Sequence, residues 1–523
     1  MAIIAAVAGA AFRVSPLSLT LAIAATILAL RCFFSHKSRR FPLPPGPPKE
    51  PIIGHLRVLP TDNPEYAYIA WGRQYKSDIL SFQVLGQTII VLNSVTAAVE
   101  LLDKRSGNFS DRPRFVLFEE MGWGRTLTFL PWGTKFRQHR KILQRLFQKS
   151  SLVGHRGLQE SEATTLLRAL ISSPSTWELS LRRYATAIVL KAGFGIPLLS
   201  KSSPWIAIAE NASYALGHGG APGGTPVDFF PFLRSLPRIL HDRSLKFAHD
   251  WSWAIKKIHD APFDAVVALA PNEREPSLIT TLLTERQAQI DQGKVPELEE
   301  ADIKGAAAAV YAAGQDTTWS TLVVFVLAMV IRPDIQRKAQ AELDQVIGRN
   351  RLPTFADQSS LPYLELVLQE TLRWIPVSPL GVPHRSVKDE IYKGYFIPAG
   401  SHIFANARAM THDPATYSDP ETFNPDRYLT VAEGGLNEPF PRGHFGFGRR
   451  ICIGQHLGES SVWIAMASIL STMWIGRDTD NDGVDIIPSI RLTNGLTSHP
   501  EQFACKFEPR YERTKAVLGV SSE

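Results

Sequence analysis

A long stretch without proline, between Pro296 and Pro333, most constrains what this chain can fold into. The stretch is rich in Ala, Leu and Val, and it permits one helix of roughly 30 residues and about 45 Å, long enough to cross a whole domain. Apolar residues at helical spacing over 155–195 and 240–268 predict further amphipathic helices. The chain is therefore expected to be mainly α.

Two short hairpins account for the predicted β-structure. Asp78–Val84 and Thr88–Asn93 flank a glycine-containing turn, which is typical of a β-hairpin, and a second hairpin is predicted around Ile391–Ile397. The sequence thus predicts a mainly α fold with minor β. No internal repeat and no Pro/Gly linker divides the chain after residue 50, so residues 51–523 are predicted to form a single domain.

The N-terminal residues resemble a membrane anchor. After a short segment at 1–13, residues 14–30 carry no charge and are mostly Leu, Ala and Ile. Cys32, Phe33 and Phe34 extend the apolar run past Arg31, so the predicted anchor at 14–34 has about 20 residues, roughly the span of a bilayer. A basic and proline-rich hinge follows at 35–50. Basic residues concentrated after the apolar core favour a retained single-pass anchor with its C-terminal side in the cytosol, over the alternative of a cleaved signal peptide.

Charge and cysteine content exclude other classes. The net charge is +6, and residues 1–40 carry +5 of it (five basic residues and no acid), which leaves +1 for the rest. Nucleic acid is therefore not an expected partner. Three cysteines are too few for a disulfide-stapled scaffold or an all-cysteine zinc site.

The most informative motif is a cysteine loop at residues 445–454, FGFGRRICIG. A single cysteine, Cys452, follows glycines and arginines and precedes an apolar segment of helical character. Amide groups at a helix N-terminus and nearby arginines favour a thiolate, which suits a metal ligand. A buried turn cysteine and a cysteine nucleophile, as in an anchored hydrolase, are the other interpretations of the loop.

This loop resembles the haem-binding signature of cytochrome P450 enzymes, Phe-x-x-Gly-x-Arg-x-Cys-x-Gly. Every fixed position matches, at Phe445, Gly448, Arg450, Cys452 and Gly454. The resemblance implies the cytochrome P450 fold, with small β-sheets and the long helix crossing over the haem. It also implies haem b as the cofactor, with Cys452 as its axial thiolate and metal ligand and Phe445 packed beside the sulfur.

Two further motifs stand in the order that the family shows. Ala313-Gly-Gln-Asp-Thr-Thr318 resembles the oxygen-activation motif, which implies that Asp316 and Thr317 deliver protons during catalysis. Glu370-Thr-Leu-Arg373, together with Arg427, resembles a buried ionic network behind the haem. Losing one partner of that network is predicted to leave an uncompensated buried charge.

The same resemblance implies three ligands for the haem propionates: Arg140, His384 and Arg450. Arginine and histidine suit this role because charged hydrogen bonds to carboxylates are strong. Arg140 belongs to a segment in which Phe136 stands where the family usually has Trp, so an indole N–H donor is lost there.

The implied activity is a haem-thiolate monooxygenase that inserts one oxygen atom from O2 into a lipophilic small molecule. The sequence looks most like fungal microsomal members of secondary metabolism, with a terpenoid as the favoured substrate and an aromatic polyketide or an indole as the alternatives. Its implied partners are NADPH–cytochrome P450 reductase, with cytochrome b5 as an additional electron donor, and the endoplasmic reticulum membrane. A reductase-independent haem-thiolate isomerase or peroxygenase and a non-enzymatic membrane haem protein are the competing functions. The family alignment places the pocket among residues 109–129, 309–317, 377–382 and 492–497.

Overall fold

The proline-free stretch forms one helix in the computed structural model, which confirms the predicted long helix. The structure describes residues 41–200, 202–220 and 223–519. Within them, the helices of at least twelve residues are α1 Pro64–Tyr75, α2 Thr134–Phe147, α3 Arg156–Ser172, α4 Trp177–Phe194, α5 Pro204–His218, α6 Arg243–Val267, α7 Leu278–Asp291, α8 Glu300–Ile331, α9 Pro333–Val346, α10 Pro362–Trp374 and α11 Gln455–Thr472.

The β-structure is confined to three small sheets. The strands are β1 Ile79–Val84, β2 Gln87–Leu92, β3 His384–Arg385, β4 Glu390–Tyr392, β5 Tyr395–Ile397, β6 His402–Ala405, β7 Met473–Arg477 and β8 Cys505–Pro509. The largest sheet has the order β1-β2-β6-β3, in which β2 and β6 run parallel. Both predicted hairpins are present, as the antiparallel pairs β1–β2 and β4–β5.

Helix α8 is the core of the molecule. Every residue from Leu322 to Val330 is buried, so this half of the helix is surrounded by protein on all sides. At Gly314 a Cβ atom would lie only 2.5 Å from the Val189 Cγ1 atom of α4, so the glycine permits the close approach of the two helices.

Helix α8 is also the one helix in the described part of the chain that is long and apolar enough to cross a membrane. Its most apolar window is 83% buried inside the protein, which is the pattern of a core helix. The anchor predicted at 14–34 lies outside the described residues, so it stays a prediction.

The helical pattern predicted over 155–195 is divided in the structure. Helices α3 and α4 are separated by residues 173–176, where Pro174 begins a short 3₁₀ turn. Proline lacks the N–H that would continue the ladder of α3, which explains the break. The pattern over 240–268 corresponds to the single helix α6.

The proline-rich segment is attached to the body along β1. The Pro44 and Pro45 carbonyls accept hydrogen bonds from the Ser81 hydroxyl (2.5 Å) and the Ser81 backbone N–H (3.0 Å). The Pro47 carbonyl accepts one from a ring nitrogen of His55 at 2.7 Å. These contacts fix the direction in which the chain leaves the body toward its N-terminus.

The predicted ionic residues meet in a buried, charge-balanced network. Glu370 accepts two hydrogen bonds of 2.8 Å from the Arg373 guanidinium and one of 3.1 Å from Arg427 Nε. Its carboxylate also accepts from the Tyr428 hydroxyl at 2.9 Å. The side chains of Glu370, Arg373 and Arg427 are at most 1% exposed.

A second acid completes this network, and no motif in the sequence marked it. Glu438 accepts a hydrogen bond of 2.6 Å from Arg427 Nη1, so two buried carboxylates face two buried guanidinium groups. Arg373 also donates to the Thr411 and Pro420 carbonyls. The network thus joins α10 to the segment that precedes the cysteine loop.

We predict that Glu370→Ala destabilises the protein by about 3–5 kcal/mol, because it leaves two buried cations with one carboxylate. Thermal denaturation and the fraction of protein that retains haem measure the effect. Glu365→Ala on the same helix is the control, because the Glu365 carboxylate accepts its one side-chain hydrogen bond from Gln369, a partly exposed neighbour. A Glu370→Ala protein that matches the wild type in both measurements would contradict the assignment.

Candidate active site

The cysteine loop is a tight turn leading into α11. Gly448 has φ +56°, and a Cβ atom there would lie 2.0 Å from the Leu102 carbonyl oxygen, so only glycine fits. The Cys452 N–H donates to the Phe445 carbonyl at 2.8 Å, which closes the turn. The backbone amides of Gly454 and Gln455, at the start of α11, point toward the Cys452 sulfur.

The Cys452 side chain is exposed to a cavity although it lies deep within the protein. Burial raises the pKa of the Cys452 thiol, while the Gly454 N–H and the positive charge of Arg140 act in the opposite direction. The amides of Gly454 and Gln455 and the guanidinium of Arg140 can therefore stabilise a thiolate when a cation binds the sulfur.

The cavity has a volume of about 340 Å³ and extends from the cysteine loop to helices α2, α4 and α8. Its wall on α8 includes the small residues Ala309, Ala313 and Gly314. Residues 377–382 form a further side. Four of the predicted site residues that line it carry polar side chains: Arg140, Thr317, His384 and Arg450.

Arg450 is a buried cation whose charge the described part of the chain leaves largely unpaired. Its Nε donates to the Ser110 carbonyl at 2.8 Å, but Nη1 and Nη2 are buried without any hydrogen-bond partner. The guanidinium lies over the Phe136 ring at 3.6 Å. Burial lowers the pKa of Arg450 to about 9, with the nearby charge of Arg140 adding to the effect.

Arg112 joins this group, although none of the sequence motifs included it. It lines the cavity and donates to the carbonyls of Val382, Pro383 and Thr128. Burial lowers the pKa of Arg112, and the charge of Arg450 lowers it further. Arg140 lines the same cavity and donates to the Ile451 carbonyl at 2.5 Å, so the cysteine loop itself holds this side chain in place.

His384 is held in one tautomer. Its Nδ1 lies 2.7 Å from the Phe109 carbonyl oxygen, which can only accept, so Nδ1 carries the proton. Burial and the charges of Arg112 and Arg450 lower the pKa of His384 to about 3. The neutral ring would present an unprotonated Nε2, so His384 becomes a donor to a carboxylate only when an anion beside it restores its second proton.

Together, these cations define an anion site. Asp111 is the acid that acts on both Arg112 and Arg450, and its own carboxylate already accepts from the Trp132 N–H at 2.7 Å. Unpaired guanidinium nitrogens are costly when buried, so this site favours an anionic partner that can accept their hydrogen bonds. The carboxylates of a haem placed against Cys452 fit this requirement, and the residues present therefore suit the group.

The two predicted proton-delivery residues point in different directions. Thr317 lines the cavity, and its hydroxyl donates to the Ala313 carbonyl at 2.8 Å. The Asp316 carboxylate instead accepts a hydrogen bond of 2.7 Å from the Thr497 hydroxyl, in the C-terminal loop. Arg182 of α4 adds a positive charge near Asp316 and lies over the Trp319 ring at 3.5 Å.

Two of the segments expected to form the pocket wall, 109–129 and 492–497, line the cavity only in part or not at all. Phe115, Phe118, Trp123 and Phe129 are buried and pack against one another, and they are not among the residues that line the cavity. From residues 109–129 the wall takes Arg112, Leu127 and Thr128. The loop at 492–497 contacts Asp316 and Ser378 rather than the cavity itself.

Comparison with known proteins identifies the family. The family model described as Cytochrome P450 matches residues 44–505, and this chain belongs to that family. It is 38% identical to a cytochrome P450 monooxygenase of Armillaria gallica, over 95% of this chain and 97% of the relative. It is 36% identical to the tryptamine 4-monooxygenase of Psilocybe cyanescens, over 93% of this chain and 96% of the relative.

A solved structure shows the same fold. A zebrafish cytochrome P450 determined with abiraterone superimposes with a TM-score of 0.70 at 22% sequence identity, covering 86% of this chain and 100% of the other. The fold and the relatives confirm the predicted class: the protein is a cytochrome P450 monooxygenase, an enzyme that uses a haem with thiolate ligation. Relatives named as monooxygenases over most of the chain favour this function over a reductase-independent haem-thiolate isomerase or peroxygenase and over a non-enzymatic membrane haem protein.

We predict that Arg450→Met accelerates haem loss about tenfold to a hundredfold, because a hydrogen bond to a charged group contributes about 1.5–3 kcal/mol. Transfer of haem to an excess of apomyoglobin measures the rate. Arg449→Met is the matched control, because the neighbouring Arg449 is exposed and lies over Trp132. Equal rates for the two variants would show that Arg450 does not hold the cofactor.

Proposed function

We propose that this enzyme hydroxylates a neutral, lipophilic small molecule, with a terpenoid as the favoured substrate class. The observation that carries the proposal is the wall of the cavity. On α8 and residues 377–382 it presents Ala309, Val310, Val377, Leu380 and Val382, which suit an aliphatic ligand.

Charge supports a neutral substrate over an amine. The described residues that line the cavity include Arg112, Arg140 and Arg450 but no Asp or Glu. A protonated amine would therefore have no carboxylate partner among the described residues that line the cavity. The name of the Psilocybe relative specifies an indole amine, so that substrate class is the alternative that the test below includes.

Cys452 would hold the haem iron as a thiolate, which the amides of Gly454 and Gln455 would stabilise. The proposed cofactor is haem b, with its propionates held by Arg112, Arg140 and Arg450 and by His384 in its protonated form. When bound, the haem supplies the activation of dioxygen, so that one oxygen atom enters the substrate and the other leaves as water. Phe445 lines the cavity and excludes water from the sulfur.

Thr317 and Asp316 are the proposed proton carriers. Thr317 lines the cavity, and its hydroxyl, which donates to the Ala313 carbonyl, can accept a hydrogen bond from a proton donor beside the reacting oxygen. The Asp316 carboxylate lies on a different face of α8, held by Thr497 and near Arg182. In this arrangement Asp316 takes protons from outside the cavity, and Thr317 positions them inside it.

The proposed electron donor is NADPH–cytochrome P450 reductase, with cytochrome b5 as a possible second donor. Arg137, Lys141 and Arg145 are exposed on α2, which supports docking of an acidic partner on this basic face. We further propose a single-pass anchor in the endoplasmic reticulum membrane, with the body at 51–523 acting as one domain in the cytosol. The basic residues that follow the apolar segment support this topology.

We predict that neutral terpenes produce a high-spin optical shift in the reductase-coupled microsomal enzyme, because an apolar ligand displaces water from the cavity. Difference spectra with sesquiterpenes, triterpenes, aromatic polyketides, neutral indoles and tryptamine measure the binding. A saturable shift with tryptamine, and none with the terpenes, would contradict the proposed substrate class.

We predict that Thr317→Ala lowers product formed per NADPH by on the order of a hundredfold and diverts electrons to peroxide, because a positioned proton donor is lost. Thr317→Ser retains the hydroxyl and should restore most of the coupling. Product and peroxide are quantified together in protein with an intact carbon monoxide band. Full coupling in Thr317→Ala would remove this residue from proton delivery.

A further inference from the structure

One turn of π-helix lies against the cysteine loop. A short helix is α-helical over Val95–Ala98 and π-helical over Val99–Lys104. Within it, the Arg105 N–H donates to the carbonyl of Glu100, five residues earlier, at 3.2 Å. A π turn takes in one residue more than an α turn, so it rotates the residues that follow by roughly 100° relative to a continuous α-helix. Such turns are rare and occur frequently at functional sites.

Two consecutive residues of this π turn contact Gly448 in the cysteine loop. The Leu102 carbonyl oxygen occupies the space that a Cβ atom on Gly448 would need. The Asp103 carboxylate accepts a hydrogen bond from the Gly448 N–H. Leu102 and Phe447 are buried in the same apolar cluster, so the π turn and the loop also pack together. The π turn therefore holds Gly448 both by close packing and by its amide.

The π turn is itself attached to the β4–β5 hairpin. Arg105 donates to the Glu390 carboxylate at 3.1 Å and to the Ile391 carbonyl at 2.9 Å, both on β4. The same guanidinium donates to the Glu100 carboxylate at 3.2 Å. Asp103 thus approaches the cysteine loop from an element that contacts with a separate sheet hold in place.

Gly448 is the first residue of the turn that carries Arg450. This 3₁₀ turn covers Gly448–Arg450, and the Ile451 N–H donates to the Gly448 carbonyl at 3.2 Å. Nη1 and Nη2 of Arg450, the nitrogens without a partner in the described chain, are only two residues along from Gly448. A displacement of Gly448 therefore changes the direction in which the Arg450 side chain leaves the loop.

We propose that Asp103 is a positioning residue of the active site, which holds the Gly448 N–H and through it the direction of Arg450. The proposal rests on the proposed role of Arg450 as a ligand of the haem propionates. Asp103 is not among the residues that line the large cavity, so it acts through the loop. The exposed Arg442 lies 3.9 Å from its carboxylate, and a surface ion pair of this kind contributes little.

Haem transfer to an excess of apomyoglobin tests the proposal. Asp103→Ala removes the acceptor of the Gly448 N–H and should accelerate haem loss about tenfold. Asp103→Asn keeps a side-chain oxygen that can accept this N–H, so it should restore most of the retention. Asp103→Asn that loses haem as fast as Asp103→Ala would overturn the proposal.

Glu100→Ala is the matched control on the same π turn. It also replaces an acid by alanine, but the Glu100 carboxylate pairs with Lys104 and Arg105 rather than with the loop. It should retain haem like the wild type. If Glu100→Ala loses haem as fast as Asp103→Ala, the effect comes from the stability of the π turn, and Asp103 has no positioning role.

A double variant distinguishes positioning from a general loss of stability. If Asp103 acts through Arg450, Asp103→Ala should accelerate haem loss by less than about twofold in a protein that already carries Arg450→Met. A contribution that is independent of Arg450 would multiply instead. A double variant whose acceleration equals the product of the two single accelerations would overturn the proposal.

Hydrogen exchange of the full chain reports on the contact whether or not a variant retains haem. The Gly448 amide should be protected in the wild type, because Asp103 accepts its hydrogen bond. Asp103→Ala should increase exchange in the peptide that contains residues 446–450, whereas Asp103→Asn and Glu100→Ala should not. Unchanged exchange in Asp103→Ala would overturn the proposal.

The proposed role of Arg450 can be tested separately from that of Asp103. If Arg450→Met loses haem no faster than Arg449→Met, the role of Arg450 fails and the role of Asp103 fails with it. If Arg450→Met loses haem faster but Asp103→Ala does not, only the positioning role of Asp103 fails.

Discussion

The structure depends on buried positive charge that the described chain does not neutralise. Arg112, Arg140 and Arg450 converge on one cavity, and two nitrogens of Arg450 are buried there without a partner. Desolvated cations of this kind are unfavourable unless an anion reaches them. In the proposed site, the two carboxylates of a haem held by Cys452 would match these charges.

The charges in the buried network around Glu370, by contrast, are paired within the described chain. Its two guanidinium groups are matched by the carboxylates of Glu370 and Glu438, and main-chain carbonyls accept the remaining N–H groups. This part of the fold is satisfied by the chain alone, so it can order the segment before the cysteine loop without the cofactor. The network around Glu370 is thus paired within the described chain, whereas the guanidinium nitrogens of Arg450 in the cavity are not.

Much of this arrangement was predictable from sequence, because its signals are local. The absence of proline predicted α8, the glycine-containing turn predicted β1–β2, and the glycines of the cysteine loop marked a turn that Gly448 does require. The order of the motifs predicted the family. Pro174 was the local signal for the break between α3 and α4, but the continuous helical pattern over 155–195 masked it.

The remaining features arise from contacts between distant segments, which no local pattern encodes. Glu438 joins its network through Arg427, which meets Glu370 across 57 residues, and Arg112 meets carbonyls some 270 residues along the chain. Thr497 meets Asp316 across 181 residues. The aromatic residues between 109 and 129 have the composition of a pocket wall, yet in the structure they pack against one another. Composition alone could not predict this, because it does not tell which side of a segment faces a cavity.

The most direct test of the account concerns the sulfur ligand. The reduced carbon monoxide difference spectrum should be recorded for Cys452→Ala and for Cys505→Ala, a matched change at the other cysteine in the described part of the chain. The account predicts a thiolate-type band for the wild type and Cys505→Ala, and none for Cys452→Ala. A thiolate-type band in Cys452→Ala would contradict it.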